Sequence, residues 1–339
     1  MKLRAGIIGY GVVGKKRREV IDANDDLQTI CVSDLNFKSN GIFSDGVKYY
    51  NNYNNVFEQD LDVVFVSLPN YLAAKVTILG LENNCHVFCE KPPSRTVEEL
   101  QEVIKCSDNN PNLKLKYGFN HRYHDSVKKA NEIIESEQLG EVVSIRGVYG
   151  KSSIIPFGSG WRSEKKYSGG GILIDQGIHM LDLVRYFSTD YEEIHSVVTN
   201  DYWGHDVEDN AFVLMRNKKG QVALLHSTAT QWQHRFRIEI ILSEGLIELT
   251  GILTGSKSYG SETLKIIKRK KGDSSGAQKE KVYTFLEDNS WQDEINEFSE
   301  CIKNNTPILN GTSHDALKVM EMIMNIYKSD KYWWKIFNQ

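Results

Sequence analysis

At 339 residues the chain is long enough to hold two hydrophobic cores. Its composition, 40% hydrophobic and 25% charged, is that of an ordinary globular protein and excludes a fibrous or disordered one. A formal net charge of -4 gives no electrostatic basis for binding nucleic acid or an anionic membrane.

The first apolar run, residues 3–8, reads as a buried strand and leads directly into Gly9-Tyr10-Gly11-Val12-Val13-Gly14. A helical stretch over residues 15–23 follows, and a second apolar run, 29–33, ends in Asp34, twenty residues past Gly14. That order supplies the parts of a dinucleotide site. Gly9 allows the tight turn, Gly11 lets the backbone approach a pyrophosphate, and Gly14 lets helix and strand pack closely. The helix N-terminus faces the phosphate charge. Asp34 is suited to accept hydrogen bonds from the adenosine ribose hydroxyls and would repel a 2′-phosphate, so NAD is expected in preference to NADP.

Strands are expected at 62–67, 86–89 and 114–119, with helices at 73–83 and 96–106 between them. The second of these helices opens on the cap-like Thr96-Val97-Glu98-Glu99. Repeated β–α alternation predicts a doubly wound parallel sheet, an α/β Rossmann domain. The pattern changes near residue 120. After a helix at 126–135, period-2 runs dominate at 142–148, 195–200, 211–215, 221–227, 236–242 and 246–250, and helices at 291–304 and 313–329 close the chain. This predicts an α+β second domain with a large, mostly antiparallel sheet, the boundary lying between 1–120 and 121–339. The basic run 265–271 beside Gly272-Asp273-Ser274-Ser275-Gly276 reads as strand ends flanking a hairpin loop rather than a nucleic-acid patch.

The five cysteines are scattered, and Cys85 and Cys89 lack the far half of a zinc site, so reduced thiols and no metal centre are expected. With no signal-like N-terminus and no apolar run near the ~20 residues that span a bilayer, a cytoplasmic protein without membrane partners is expected.

Two further stretches could carry chemistry. Glu90-Lys91-Pro92 follows the strand at 86–89, at the carboxyl end of the parallel sheet where such folds place ligands; taken alone, Lys91 is equally a surface lysine. Ser168-Gly169-Gly170-Gly171 precedes Asp175 and His179, four residues apart and on one face of a helix. The glycines permit close approach of backbone to a ligand. A histidine there can exchange a hydroxyl proton near neutral pH, and Asp175 can bind substrate hydroxyls or tune the imidazole. A glycine loop before an amphipathic helix is the simpler alternative.

Taken together, Gly9–Gly14, Asp34, Pro69-Asn70, Glu90-Lys91-Pro92, Gly118-Phe119-Asn120, Trp161-Arg162, Gly169-Gly170-Gly171, Asp175 and His179 resemble the glucose–fructose oxidoreductase / inositol dehydrogenase (Gfo/Idh/MocA) family over the whole chain. The resemblance implies a C-terminal open sheet that makes homodimers or homotetramers. It also implies NAD(P)-dependent chemistry on a sugar, a cyclitol or a related small molecule. It assigns Lys91, Asp175 and His179 as the catalytic set. Ser67, Leu68, Pro69 and Asn70 match the loop along the cofactor, and Asn120, Trp161 and Arg162 match positions at its nicotinamide end. Lys91 falls between nicotinamide and substrate hydroxyl, and Glu90 and Lys91 join Tyr10, Val12 and Val13 as further cofactor-binding candidates. One departure is visible: many members carry a histidine where this chain has Ala73.

In the second domain Trp161, Trp203 and Trp232 could stack on a sugar ring or base, and Arg162, His234, Arg235 and Arg237 could meet phosphate or carboxylate. Most of these are expected to be ordinary core or surface residues; Arg162 and Trp232 are retained as substrate-binding candidates with Lys91, Asp175 and His179. The expected activity is an NAD(H)-dependent dehydrogenase acting on a secondary alcohol of a sugar or sugar derivative, nucleotide-linked sugars included. A redox-neutral enzyme with tightly bound NAD and a non-catalytic NAD-binding regulator are the alternatives.

Overall fold

The computed structural model describes every residue except 1, 154–159, 256, 271, 273–275, 277 and 339. Lys271 and Asp273-Ser274-Ser275 of the expected hairpin loop thus lie outside the described residues. The chain forms two compact units: Met1–Asn120 with Lys166–Gly169 and Trp291–Leu317, and His121–Lys165 with Gly170–Ser290 and Lys318–Gln339. Two segments from beyond residue 120 therefore return to the first unit.

The first unit is built on seven strands: β1 (Leu3–Ile8), β2 (Leu27–Ser33), β3 (Gly41–Ile42), β4 (Lys48–Tyr50), β5 (Val63–Val66), β6 (His86–Glu90) and β7 (Leu115–Gly118). Their order is β3-β4-β2-β1-β5-β6-β7, parallel throughout except for the β3–β4 pair. Every residue of β5 is buried, because helices cover both faces of a parallel sheet. The order turns back between β1 and β5, the position where doubly wound sheets open a crevice at their carboxyl ends. The Val97–Asp108 helix starts as its sequence foretells: the Thr96 hydroxyl accepts the Glu99 N–H at 3.2 Å. The two short strands β3 and β4 carried no sequence signal of their own.

The second unit holds an eight-stranded sheet: β8 (Val142–Gly150), β9 (Glu193–Thr199), β10 (Asn210–Arg216), β11 (Val222–Thr228), β12 (Arg235–Leu242), β13 (Gly245–Thr250), β14 (Glu262–Lys268) and β15 (Glu280–Phe285). The order is β15-β14-β13-β12-β8-β11-β10-β9. All neighbours are antiparallel except β8 and β11, which run parallel at the centre. Alternation along β10 buries Ala211, Val213 and Met215 and leaves Phe212 and Leu214 exposed. A short helix, Lys331–Phe337, capped by Asp330, ends the described chain. Among the described residues, no helix is long and apolar enough to cross a membrane.

Candidate functional site

In the first unit the glycine turn sits on the carboxyl end of β1. Gly9 has φ +93°, and a Cβ there would overlap the Ser67 carbonyl, so only glycine fits. A Cβ at Gly14 would overlap the Gly9 carbonyl as the Val12–Asp22 helix leaves the turn. At Gly11, in contrast, a Cβ would meet nothing within 4 Å. The space above the turn is open, and Val12 beside it is exposed. The first intrahelical bond runs from Lys15 N–H to the Gly11 carbonyl, which leaves the Val12 and Val13 amides without helical acceptors. Amides at such a helix start attract an anion.

Asp34 closes the turn from β2. One carboxylate oxygen accepts the Tyr10 N–H at 2.8 Å, and the other accepts the Asn36 backbone and side-chain N–H groups at 2.9 and 2.8 Å. The Tyr10 ring lies among Phe37, Phe43 and Arg18. On the far side of the turn, Ser67 follows β5. Its hydroxyl is buried and has no hydrogen-bond partner among the described residues. Leu68 and Pro69 lead into the Asn70–Glu82 helix, and the Asn70 amide donates to the Ser168 carbonyl at 2.7 Å. An open glycine turn, an acid at the end of β2 and an orphaned buried hydroxyl fit a dinucleotide.

Glu90 and Lys91 stand at the end of β6, and the Lys91–Pro92 peptide is cis. The structure gives Glu90 a packing role. Its carboxylate binds the buried guanidinium of Arg17 at 2.5 Å, and Glu294 binds the same guanidinium at 2.7 Å. Phe88 and Trp291 each lie 4.3 Å from that cation. Burial pushes the Glu294 carboxyl up to about 7 even beside Arg17. Burial likewise pushes the Cys85 and Cys89 thiols up to about 11 and 12, as inert core thiols require.

In the second unit Asp175 lies in one π-helical turn, Leu173–Gly177, which runs into the Ile178–Phe187 helix carrying His179. Such wide turns recur at functional sites. The buried Glu208 carboxylate holds the start of this turn, accepting Gly171 N–H at 2.7 Å, Leu173 N–H at 2.9 Å and the Tyr327 hydroxyl at 2.7 Å. Burial pushes Glu208 up to about 7. The triple glycine approaches protein closely: Cβ atoms would overlap the Arg95 backbone at Gly169, the Tyr327 hydroxyl at Gly170 and the Glu208 backbone at Gly171.

The Arg162 guanidinium lies over the Trp161 ring at 4.1 Å and reaches Asp175 at 3.4 Å. The Gln176 amide approaches the other Asp175 oxygen at 3.2 Å. His179 is buried and stacks on His121, whose Nε2 lies 3.1 Å from the Tyr149 hydroxyl. Burial first, then the Asp175 charge, pushes the Tyr149 phenol well up. Asn120 opens the turn that carries His121. Sequence reasoning missed His121, Tyr149 and Glu208; the one available signal was His121 directly following the Gly118-Phe119-Asn120 motif.

The remaining candidates divide. Trp232 is exposed and forms an aromatic cluster with Tyr202 and Trp203 at centroid distances of 5.1 and 6.2 Å. Trp203 is anchored by its indole N–H on the Ala229 carbonyl at 2.9 Å. His234 is held between Ser152 and Ser258, and Arg237 pairs with Glu248 on the neighbouring strand and with Glu239 two residues along its own. Arg235 begins β12 on the solvent side.

Fold and turn together define a nucleotide-binding α/β protein with an appended open sheet. Residues 3–119 match the Gfo/Idh/MocA oxidoreductase family, NAD-binding Rossmann fold, and residues 127–248 match the same family's C-terminal domain. The chain belongs to this family. Levoglucosan dehydrogenase of Pseudarthrobacter phenanthrenivorans is 26% identical over 220 residues, covering 58% of this chain and 54% of that protein. The myo-inositol 2-dehydrogenase of Thermotoga maritima is 26% identical over 318 residues, 90% of each. The chain spans about half the length of most curated relatives it matches. Among solved structures, a levoglucosan dehydrogenase in complex with NADH superposes with TM-score 0.82 at 20% identity over 98% of both chains, a likeness of fold.

Proposed function

We propose that the protein is an NAD(H)-dependent oxidoreductase that moves hydride to or from a secondary alcohol carbon of a sugar or sugar derivative. The observation that carries this reading is the presence, in one chain, of an Asp34-tethered open glycine turn and a π-helical turn presenting Asp175 ahead of His179. Relatives named for levoglucosan and myo-inositol point to cyclic polyols as the substrate class.

Bound NAD supplies the hydride acceptor or donor; the chain supplies orientation and proton handling. The amides of Val12 and Val13 would hold the pyrophosphate of the cofactor, Asp34 and Ser67 would hold its sugar hydroxyls, and the Asp34 carboxylate would turn away a 2′-phosphate. The Lys91 ammonium donates a hydrogen bond to the reacting oxygen. His179 accepts the hydroxyl proton in the oxidising direction and returns it in the reducing one. Asp175, oriented by Arg162 and Gln176, accepts a neighbouring substrate hydroxyl. The exposed Tyr202–Trp232 pair offers a stacking platform for a further ring of the substrate, a sugar or a base.

The outer face of the second sheet supports a homo-oligomer. Val197, Phe212, Leu214 and Leu224 are all exposed, and register places Val197 beside Phe212 and Leu214 beside Leu224. A contiguous apolar face of this kind is covered in solution by a partner, here a second copy. Light scattering should then give a dimer or tetramer that Leu214→Glu reduces to a monomer.

The catalytic reading is tested by following NADH absorbance with a panel of polyols, glycosides and nucleotide sugars. Lys91→Met and His179→Asn are expected to lose turnover by ~100-fold or more with the NADH dissociation constant changed less than ~3-fold. Loss of NADH binding in both variants would remove these roles. Turnover without any absorbance change, with NAD retained through purification, would replace net oxidation by a redox-neutral reaction.

A further inference from the structure

His121 has no part in the chemistry assigned above, yet it shares the most intimate contact that His179 makes with another ring. The two imidazoles lie face to face, with centroids 3.7 Å apart and planes 12° from parallel, and each is 4% exposed. The position of His121 is itself fixed by several neighbours, among them the His124 ring, which meets it edge-on with centroids 5.5 Å apart. The His121 Nε2 lies 3.1 Å from the Tyr149 hydroxyl, and the Phe236 ring meets His121 edge-on with centroids 6.0 Å apart. Tyr149 and Phe236 face each other in the same T-shaped manner at 5.2 Å, across the β8–β12 pair. A wall of rings rooted in the centre of the sheet therefore ends on the face of His179.

A proton acceptor works only while its nitrogen stays within hydrogen-bond reach of the hydroxyl, and a displacement of ~1 Å costs on the order of 100-fold in rate. A flat ring packed against one imidazole face blocks rotation about the Cβ–Cγ bond. It also offers its π face to the imidazolium that forms when His179 takes a proton. Both effects need the ring and neither needs a second titrating group.

We propose that His121 is a positioning residue for His179, acting through the face of its ring. This rests on the reading of His179 as the acid/base group. Two substitutions separate the ring from its hydrogen bond. His121→Phe keeps a flat ring and gives up the bond to Tyr149; His121→Asn keeps a polar side chain and gives up the ring. Steady-state kinetics of both, with His179→Asn alongside, should show kcat within ~3-fold of the parent for His121→Phe. For His121→Asn kcat should fall ~10–100-fold with an unchanged NADH dissociation constant. In NMR spectra the His179 ring protons should keep their upfield ring-current shift in the Phe variant and lose it in the Asn variant. Should His121→Phe not fold, His121→Tyr supplies the same flat ring.

Parental kcat in His121→Asn overturns the proposal, as does a ring-bearing variant that falls as far as His121→Asn. A His179→Asn variant that turns over at the parental rate instead overturns the acid/base assignment beneath it.

Discussion

The Asp34 carboxylate holds the Tyr10 backbone N–H at 2.8 Å and so ties the end of β2 to the middle of the glycine turn. In the proposed function the same carboxylate would also meet the ribose of the cofactor, so one residue would serve both the turn and the ligand. Asp34→Ala removes both actions. It is expected to weaken NADH binding ~10–100-fold by calorimetry and to narrow the preference for NAD over NADP, because the charge that repels a 2′-phosphate is gone.

The glycines of the turn should separate folding from binding. A side chain at Gly11 meets open space, whereas one at Gly9 or Gly14 overlaps backbone. Gly11→Val is expected to keep the parental melting temperature within ~2 °C and to abolish NADH binding. Gly14→Ala should lower the melting temperature sharply, since helix and turn must part. Equal thermal losses in the two variants would deny the difference in surroundings.

Arg17 should be a stability residue. Its guanidinium is fully buried between Glu90 and Glu294 and sandwiched by Phe88 and Trp291. Arg17→Met leaves the Glu90 carboxylate without its buried partner, which typically costs about 3–5 kcal/mol. Adding Glu90→Gln should recover a measurable part of that loss in urea melts, because the stranded charge is then removed.

Stability should fall as pH rises from about 5 through 7. Burial raises the folded-state pKa of Glu208 from the ordinary 4.5 of a glutamate to about 7, so between these values the folded state binds a proton that the unfolded state has released. The stabilisation is complete below the lower value and lost through the upper one, on the order of 3 kcal/mol. Glu294 adds the same sign. Glu208→Gln should weaken the dependence of melting temperature on pH between 5 and 8, leaving the share owed to Glu294, at the cost of a lower plateau, since one amide oxygen cannot serve both Gly171 and Leu173.

Much of the fold was legible because its signals are local. Val63–Val66 reads as a buried strand from an unbroken apolar run, Leu3–Ile8 from a run interrupted only by Arg4, and β10 from strict alternation. The Thr96 cap was readable for the same reason, a bond over three residues. What escaped was non-local. β3 and β4 are too short to show a period, and the parallel β8–β11 pair at the heart of an otherwise antiparallel sheet depends on connections far apart in sequence. The triple glycine was read as room for a ligand; its neighbours Arg95, Tyr327 and Glu208 come from three distant parts of the chain.

The sequence by itself determined the chemistry on offer: the glycine turn, the acid after β2, a lysine after β6 and the Asp175/His179 spacing are set by residue type and short separation. Only the packed chain settled which polar groups are spent on the fold and which stay unpaired. Glu90 is taken by Arg17, Glu208 by the amides of the π-helical turn and His121 by the face of His179, while the Ser67 hydroxyl is buried without a partner among the described residues. The reason is physical. A buried polar group must find a partner wherever the packed chain provides one, and that partner's position along the sequence is not written in any local pattern.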